Sequence, residues 1–341
     1  MRSEASIPVQ GSGGRPANAK LALVFTGTYL DAIRQALHDA MEADPSVFCL
    51  GEDIGAYGGA FGATAGLLEK FGEARVLDTP IAEQAIAGAA IGASLMGRRA
   101  VAEFQFMDFV LLASDLICNF AAGTHWRWGA PCPVVFRGPV GAGVHGGPFH
   151  SQNPEGPFLG RPGLKIVAPG TVRDAYALLR ASIEDPDPVL FLEHKALYRK
   201  LKDTWDAPPQ AKLGEAALRK DGSKAVILTY GAAQHLALEA VADLDIAVLD
   251  LRTLQPLDLE TITALVKRTH RALVLTEASL SAGPSAELAA QIQDACFPWL
   301  DAPVMRLGAA DTFTPASPPL EAAFLPSKDR LQQALGNLLS W

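Results

Sequence analysis

The chain alternates short apolar, β-branched runs with segments of helical length, and this alternation limits its fold more than any other feature. The helical segment TYLDAIRQALHDAMEA is followed by the apolar run SVFCL, and later runs include RAVAEF, PVVFR and PVLFLE. Strands that alternate with helices predict a mostly parallel sheet, because the helices that connect parallel strands cover both of its faces. We therefore predict an α/β fold.

Residues 200–224 interrupt this alternation with charged residues, proline and glycine, and a second alternating set follows. We expect a linker there, between one domain over residues 28–199 and another over residues 225–341. A chain of 341 residues is long enough for two domains, each with its own core. Residues 1–27 open with a stretch rich in glycine, serine and proline and without the apolar core of a signal peptide, so we expect a flexible extension.

Charge and cysteine usage exclude several classes of protein. The net charge is −8 and the basic residues are scattered, which argues against a nucleic-acid partner. The longest apolar run, residues 85–97, is too short and too rich in glycine and alanine for a membrane span. The four cysteines lie far apart without a CxxC pair, which favours a reducing compartment. We expect the cytoplasm of a bacterium rather than a mitochondrial matrix.

Glu83 is the only charged residue between Thr79 and Gly97. Pro80 suits the first turn of a helix, and an acid there meets the positive end of the helix dipole. The following residues offer no polar face, so we expect this helix to be buried on every side. A carboxylate at the entrance to the interior is either a functional group or a helix-start acid without a partner.

A glycine-rich stretch, GPVGAGVHGGPFHSQNPE at residues 138–155, carries His145 and His150. Glycine lets backbone approach a ligand closely, and the length of the stretch favours a binding loop over a structural one. A zinc site is not favoured, since there is neither an HExxH motif nor a nearby cysteine pair. The Walker and GxSxG motifs are also absent from the sequence, and no GxGxxG opens a helix after a first strand.

Several blocks, in order and with matching spacing, together resemble one family, the beta subunit of the thiamine-diphosphate-dependent 2-oxo acid dehydrogenases. The blocks are GEDIGAYGGAF (51–61), RVLDTPIAEQAIAGAAIG (75–92), AEFQFMDF (102–109), FRGPVGAGVHGGPFHSQNPEG (136–156), LEHKALYR (192–199), LDLRTLQPLD and TEASLSAG. The resemblance runs from about residue 28 to the C-terminus. It implies a pyrimidine-binding domain followed by a transketolase-type C-terminal domain.

The resemblance also assigns roles to single residues. Glu83 matches the glutamate that hydrogen-bonds N1′ of the cofactor's aminopyrimidine, which favours the imino tautomer needed to accept the thiazolium proton. Ile81 matches a residue that lines the pyrimidine pocket. Gln105 and Phe109 match residues beside the cofactor, and Phe109 stands where related chains often have tyrosine. His150 matches a histidine near the thiazolium and substrate, where it can donate to an oxyanion or pass a proton.

Metal ions are implied in two places. Ser182, Asp185 and Asp187 resemble a structural potassium loop, although that loop often has asparagine at the last position, so a solvated acidic turn is the alternative. Enzymes of this superfamily hold the cofactor's diphosphate through magnesium, with a GDG segment and an asparagine about thirty residues later. This chain has no GDG; its nearest approach is KDGS at residues 220–223. We therefore expect the magnesium ligands on an alpha subunit.

The implied reaction is the oxidative decarboxylation of a 2-oxo acid, with transfer of the acyl group to a lipoyl group on a transacylase core. The implied assembly is a heterotetramer of two alpha and two beta chains. The stretches GVHGGPFHSQNPE and EHKALYR favour branched-chain substrates, while pyruvate and acetoin stay open. A self-contained transketolase-like synthase is disfavoured by the missing GDG, and a non-catalytic scaffold by the presence of Glu83 and His150.

Overall fold

The structure is a computed structural model that describes residues 24–341. In its N-terminal half, the alternation of strands and helices follows the sequence prediction. The strands are Phe25–Thr28 (β1), Val47–Gly51 (β2), Val76–Asp78 (β3), Arg99–Glu103 (β4), Val134–Val140 (β5), Lys165–Val167 (β6), Val189–His194 (β7) and Lys202–Trp205 (β8). The α-helices are Tyr29–Ala43 (α1), Leu67–Phe71 (α2), Glu83–Leu95 (α3), Thr124–Trp128 (α4), Glu155–Phe158 (α5) and Val172–Glu184 (α6). Shorter helical turns are Met107–Ala113, Leu116–Ala121, Gly147–Phe149 and Lys195–Leu197.

The C-terminal half repeats the alternation. Its strands are Ala217–Lys220 (β9), Val226–Thr229 (β10), Ala247–Asp250 (β11), Thr253–Gln255 (β12), Ala272–Ser279 (β13) and Met305–Ala309 (β14). Its α-helices are Ala233–Ala240 (α7), Leu259–Thr269 (α8), Pro284–Cys296 (α9), Pro318–Phe324 (α10) and Lys328–Leu339 (α11), with a short turn at Phe297–Trp299. The predicted α/β fold is confirmed.

The first sheet has seven strands in the order β12-β6-β7-β5-β4-β2-β3, and all of them are parallel except β12. Its strands β2, β5 and β7 are buried along their whole length, as expected for a sheet covered on both faces. Neighbouring residues of β2 face opposite layers: Cys49 packs with α1 and α6, whereas Phe48 and Leu50 pack with α3. A capping box between Thr28 and Asp31 starts α1.

The second sheet has the order β14-β13-β10-β11-β9, with only β9 antiparallel to its neighbour. Helices α7 and α11 cover one face, and α8 and α9 cover the other. The layer that contains α8 and α9 forms one continuous core with the α3 layer of the first sheet. The two halves of the chain therefore pack on each other through apolar side chains.

Residues 200–224, the predicted linker, contribute a strand to each half. Strand β8 pairs with β1, and β9 forms the edge of the second sheet. Strand β12 returns to the first sheet and pairs with β6. Of the predicted N-terminal extension, residues 1–23 lie outside the described part, and residues 25–27 belong to β1. The domain boundaries stay a prediction.

Helix α3 departs from its predicted burial. Ile86, Ala87, Ala90, Ile91 and Ser94 are buried, but the opposite side of the helix is exposed. Apart from Gln84, that side is itself apolar, and it leads to Met96, which follows the helix and is 84% exposed. The prediction of burial on every side is wrong for this chain alone, because an apolar pattern does not say whether the same chain or another one covers each side. No helix within residues 24–341 is long and apolar enough to cross a membrane.

Candidate active site

The predicted site residues lie at one edge of the first sheet, where neighbouring parallel strands end. Strand β2 is followed by Glu52 and Asp53, β3 by the segment that leads to Glu83, and β4 by Gln105. Because β2, β3 and β4 are adjacent in the sheet, these side chains are brought to the same edge. The Gln105 amide donates a hydrogen bond from Nε2 to Oδ2 of Asp53 at 3.2 Å, which joins the ends of β4 and β2.

Glu83 is the first residue of α3 and is half-buried. A buried acid to which the sequence prediction gave no role, Glu52, lies within electrostatic reach of Glu83. Burial raises the pKa of the Glu52 carboxyl above its ordinary value, and the negative charges of Glu83 and Asp53 raise it further. The only available sequence signal for Glu52 was its place in the segment GED directly after a buried strand.

An aromatic wall follows Gln105 at this edge of the sheet and contains the predicted His150. The His150 ring meets Phe106 edge to face, with ring centroids 4.5 Å apart, and Phe109 with centroids 5.9 Å apart. His150 itself is exposed. The structure therefore brings the predicted Phe109 and His150 together. It also places Phe106 there, a residue to which the sequence prediction gave no role. Contacts of this geometry fix the orientation of an imidazole ring.

Ile81 lies two residues before Glu83 and is 80% exposed. Within the described residues it therefore lines no closed pocket. Together with the exposed side of α3, it forms an open apolar surface next to the carboxylate.

Ser182, Asp185 and Asp187, the predicted potassium ligands, already have protein partners. The Ser182 hydroxyl donates to the carbonyl of Leu178 at 2.7 Å, inside α6. The ammonium of Lys165 lies between the two carboxylates, 2.5 Å from Oδ1 of Asp185 and 3.2 Å from Oδ2 of Asp187. These residues fit a potassium ion poorly, since a protein cation already takes up their charge. The potassium assignment stays a prediction.

His125 adds a second partner to this loop, with Nδ1 2.9 Å from Oδ1 of Asp187. Burial raises the pKa of Asp187, but hydrogen bonds from His125 and Lys165 outweigh that effect and lower it below its usual value. Within residues 24–341, no group of three or more histidines, cysteines, aspartates or glutamates is placed to hold a metal ion.

Two buried polar atoms at the sheet edge have no hydrogen-bond partner within residues 24–341: Oε1 of Glu52 and Oγ1 of Thr79. Buried polar groups normally find a partner, so such a pair calls for one from outside the described chain. With the half-buried Glu83 and the aromatic wall, these atoms fit an aminopyrimidine ring that carries its own donors and acceptors.

Comparison with known proteins identifies both halves of the chain. Residues 26–200 match the transketolase pyrimidine-binding domain, and residues 214–331 match the transketolase C-terminal domain. The chain is 44% identical over 322 residues to the 2-oxoisovalerate dehydrogenase subunit beta of Bacillus subtilis (strain 168), covering 91% of this chain and 98% of that protein. The chain belongs to the family of 2-oxo acid dehydrogenase beta subunits.

Other members of this beta-subunit family are nearly as similar. The pyruvate dehydrogenase E1 component subunit beta of the same bacterium is 42% identical over 318 residues, covering 90% of this chain and 97% of that protein. The mitochondrial 2-oxoisovalerate dehydrogenase subunit beta 2 of Arabidopsis thaliana is 38% identical over 348 residues, covering 98% and 96%. The family resemblance seen in the sequence motifs is thus confirmed, whereas the roles of single residues stay predictions.

A solved structure confirms the arrangement of the beta-subunit fold. The chain described as "Split gene transketolase, inactive beta4 tetramer" superposes with a TM-score of 0.75 and covers 92% of this chain and 98% of its own length. Its sequence is only 19% identical, so this likeness concerns the fold alone.

Proposed function

We propose that this beta subunit takes part in the thiamine-diphosphate-dependent oxidative decarboxylation of a branched-chain 2-oxo acid, and that the acyl group passes to a lipoyl group on a transacylase core. The observation that carries the proposal is the half-buried Glu83 close to Glu52, one of whose carboxyl oxygens has no hydrogen-bond partner within residues 24–341. The same edge of the sheet carries the aromatic wall with His150. A scaffold that had lost its chemistry would not need buried polar atoms without partners.

Glu83 is the residue that holds N1′ of the aminopyrimidine in this proposal. The bound cofactor supplies the electron sink for decarboxylation. A carboxylate at a half-buried helix start forms a strong hydrogen bond, because little water competes for it. Gln105, tethered to Asp53, closes the same edge of the sheet, and Ile81 and Phe109 supply apolar contacts. His150 donates a hydrogen bond or a proton to the substrate, since an imidazole changes charge near neutral pH.

The proposed partner is an alpha subunit that covers the exposed apolar surface around Glu83 and supplies the magnesium ligands. This surface includes Ile81 and Met96. The turns Met107–Ala113 and Leu116–Ala121 add Leu112 and Phe120, and α4 adds Trp126, which is 91% exposed. Exposed apolar patches of this kind mark protein–protein interfaces. The missing GDG segment supports the same partner, because the diphosphate half of the site must come from elsewhere.

The partner proposal is tested by calorimetric titration of thiamine diphosphate and magnesium. The ligands are added to the purified beta chain and then to the co-expressed alpha and beta chains. We expect magnesium-dependent binding only to the assembled pair. Tight, magnesium-dependent binding to the beta chain alone would overturn the split site.

The location proposed for this subunit is a reducing compartment such as the bacterial cytoplasm. Its four cysteines, all within the described residues, are free, and three of them are buried. Burial raises the pKa of the Cys49 thiol to about 12, which makes it unreactive.

The substrate is tested by assaying the assembled alpha–beta component with a panel of 2-oxo acids and a lipoyl acceptor. We expect the highest kcat/KM for a branched-chain acid such as 2-oxoisovalerate. Highest turnover of pyruvate would favour the second candidate, a pyruvate dehydrogenase beta subunit, which the similar identities of 44% and 42% support almost equally. A folded, assembled component that turns over no 2-oxo acid would overturn the proposed function.

A further inference from the structure

The loop between β5 and α5 carries His150 and has an unusual backbone. Four residues at every second position have a positive φ: Gly141 (86°), Gly143 (85°), His145 (61°) and Gly147 (69°). Backbone that alternates in hand turns neighbouring N–H groups to the same side, and such N–H groups form a concave site for an anion. The loop therefore presents its amides to negatively charged groups.

The anions are two carboxylates from the C-terminal half of the chain. Oε1 of Glu277, in β13, accepts a hydrogen bond from the backbone N–H of Ala142 at 2.7 Å. Oε1 of Glu321, in α10, accepts from the N–H groups of Gly143 at 3.1 Å and His145 at 3.2 Å. Hydrogen bonds to an ionised acceptor are about twice as strong as hydrogen bonds between neutral groups. These contacts therefore fix the loop backbone to the two carboxylates.

The second oxygen of each carboxylate lies against an imidazole. Oε2 of Glu321 is 2.6 Å from Nδ1 of His145, and Oε2 of Glu277 is 2.8 Å from Nε2 of His194. Asn153, at the far end of the loop, donates to Oε1 of Glu277 at 3.2 Å. Burial raises the pKa of Glu277, but His194 and these N–H donors outweigh it and lower the pKa to about 2. Glu277 is therefore ionised at neutral pH.

A buried lysine balances the negative charge beneath the loop. The Lys195 ammonium donates to the carbonyl of Gly141 and faces the carboxylates of Asp108, Glu277 and Glu321. Burial lowers the pKa of Lys195 to about 8, and the three carboxylates oppose that effect. One cation among three acids reduces the cost of burying them together.

The other end of the loop is closed by a separate pair of contacts. The N–H of Gly141 donates to the carbonyl of Gln152 at 3.0 Å, and the N–H of Gln152 donates to Oδ1 of Asp108 at 2.9 Å. His150 lies between this closure and the residues that Glu321 holds. Val144, Phe149 and His150 are exposed, so burial of these three side chains does not hold the middle of the loop in place.

We propose that Glu277 and Glu321 are positioning residues for His150: through the loop amides, the C-terminal half of the chain sets where the imidazole stands against Phe106 and Phe109. This inference rests on the proposed function of His150. It assigns the C-terminal half a part in catalysis that is exerted through the loop amides. Misplacement of a reacting group by about 1 Å can cost about a hundredfold in rate.

The test compares Glu321→Ala with Glu321→Gln in the assembled alpha–beta component. The alanine variant removes the acceptor of both amides, so we expect amide hydrogen exchange over residues 141–150 to rise at least about tenfold. We expect kcat to fall about tenfold to a hundredfold while KM stays within about twofold, since the loss is felt in the transition state. Glutamine keeps Oε1 as an acceptor, so its kcat should return to within about threefold of the wild type.

Two further variants keep the inference falsifiable. Glu321→Asp preserves the buried charge but is one methylene too short to reach the amides, and it should loosen the loop as alanine does. Glu260→Ala, at an exposed position at the start of α8, is the matched control and should leave exchange and kcat unchanged.

The outcomes separate the two proposals. Normal exchange over residues 141–150, or a normal kcat, in both Glu321→Ala and Glu321→Asp would overturn the positioning role, provided that the wild type turns over a 2-oxo acid. A wild-type component without such turnover would overturn the proposed function, whatever the exchange of the loop.

Discussion

Two clusters of carboxylates at the ends of neighbouring strands behave in opposite ways. In the first cluster, the buried Arg137 guanidinium binds Glu193 through two hydrogen bonds of 2.5 and 2.7 Å and also donates to Glu103. In the second, Glu52 and Glu83 lie close to each other without a cation between them, and one oxygen of Glu52 has no partner within residues 24–341. Carboxylates that are neutralised by a basic side chain of the same chain stabilise the fold. Carboxylates without such a partner are available to bind a ligand.

The first cluster should be broken most severely by Arg137→Met. Methionine fills much of the volume but leaves the carboxylates of Glu103 and Glu193 buried without a counter-charge. Removing one partner of a buried ion pair costs about 3–5 kcal/mol, so we expect the free energy of unfolding to fall by that amount. Urea denaturation followed by far-UV circular dichroism measures it. A loss below about 1 kcal/mol would contradict the structural role of this cluster.

A substitution in the second cluster should lower the activity of the enzyme rather than its stability. We expect Glu83→Gln to leave the fold intact and to lower kcat at least about a hundredfold, on the order of 3 kcal/mol of barrier. An amide cannot bias the protonation of N1′ as a carboxylate does. Single-turnover assays on the assembled component measure the loss, and Glu73→Gln, at an exposed position before β3, is the control. Near-normal turnover by Glu83→Gln would remove its proposed role.

His150 sharpens the comparison because its proposed role is on the substrate side of the same edge. We expect His150→Ala to bind the cofactor as the wild type does but to lower decarboxylation or acyl transfer by about tenfold to a hundredfold, through loss of a hydrogen-bond or proton donor. Calorimetry and steady-state kinetics on the same preparation separate the two effects. Weakened cofactor binding with normal turnover of the bound fraction would contradict this placement.

The alternating strands and helices could be predicted from the sequence, because apolar periodicity is a local property. The exposed side of α3 could not, since an apolar face does not reveal which chain covers it. The anchors of the His150 loop could not either. Glu321 lies 178 residues from Gly143 along the chain, and only the packing of the two halves brings them together.

The smallest expected effect concerns the pH dependence of Glu52. Its pKa is higher in the folded chain than in the unfolded chain, because burial and the charges of Glu83 and Asp53 disfavour the ionised form. A carboxyl with a raised pKa binds its proton more tightly in the folded state, so its ionisation destabilises the fold. That penalty is absent below the unfolded pKa, grows as the pH rises and is complete above the folded pKa.

Glu52→Gln removes this penalty and keeps a polar side chain of the same size. We expect the variant to be slightly more stable than the wild type at pH 7 and equally stable at a pH below the unfolded pKa of glutamate. Thermal unfolding of both proteins across that range, without cofactor, measures the difference. A stability gap of the opposite sign at pH 7, or one that does not close on acidification, would show that another group neutralises Glu52. The contrast with the Arg137 cluster would then fail.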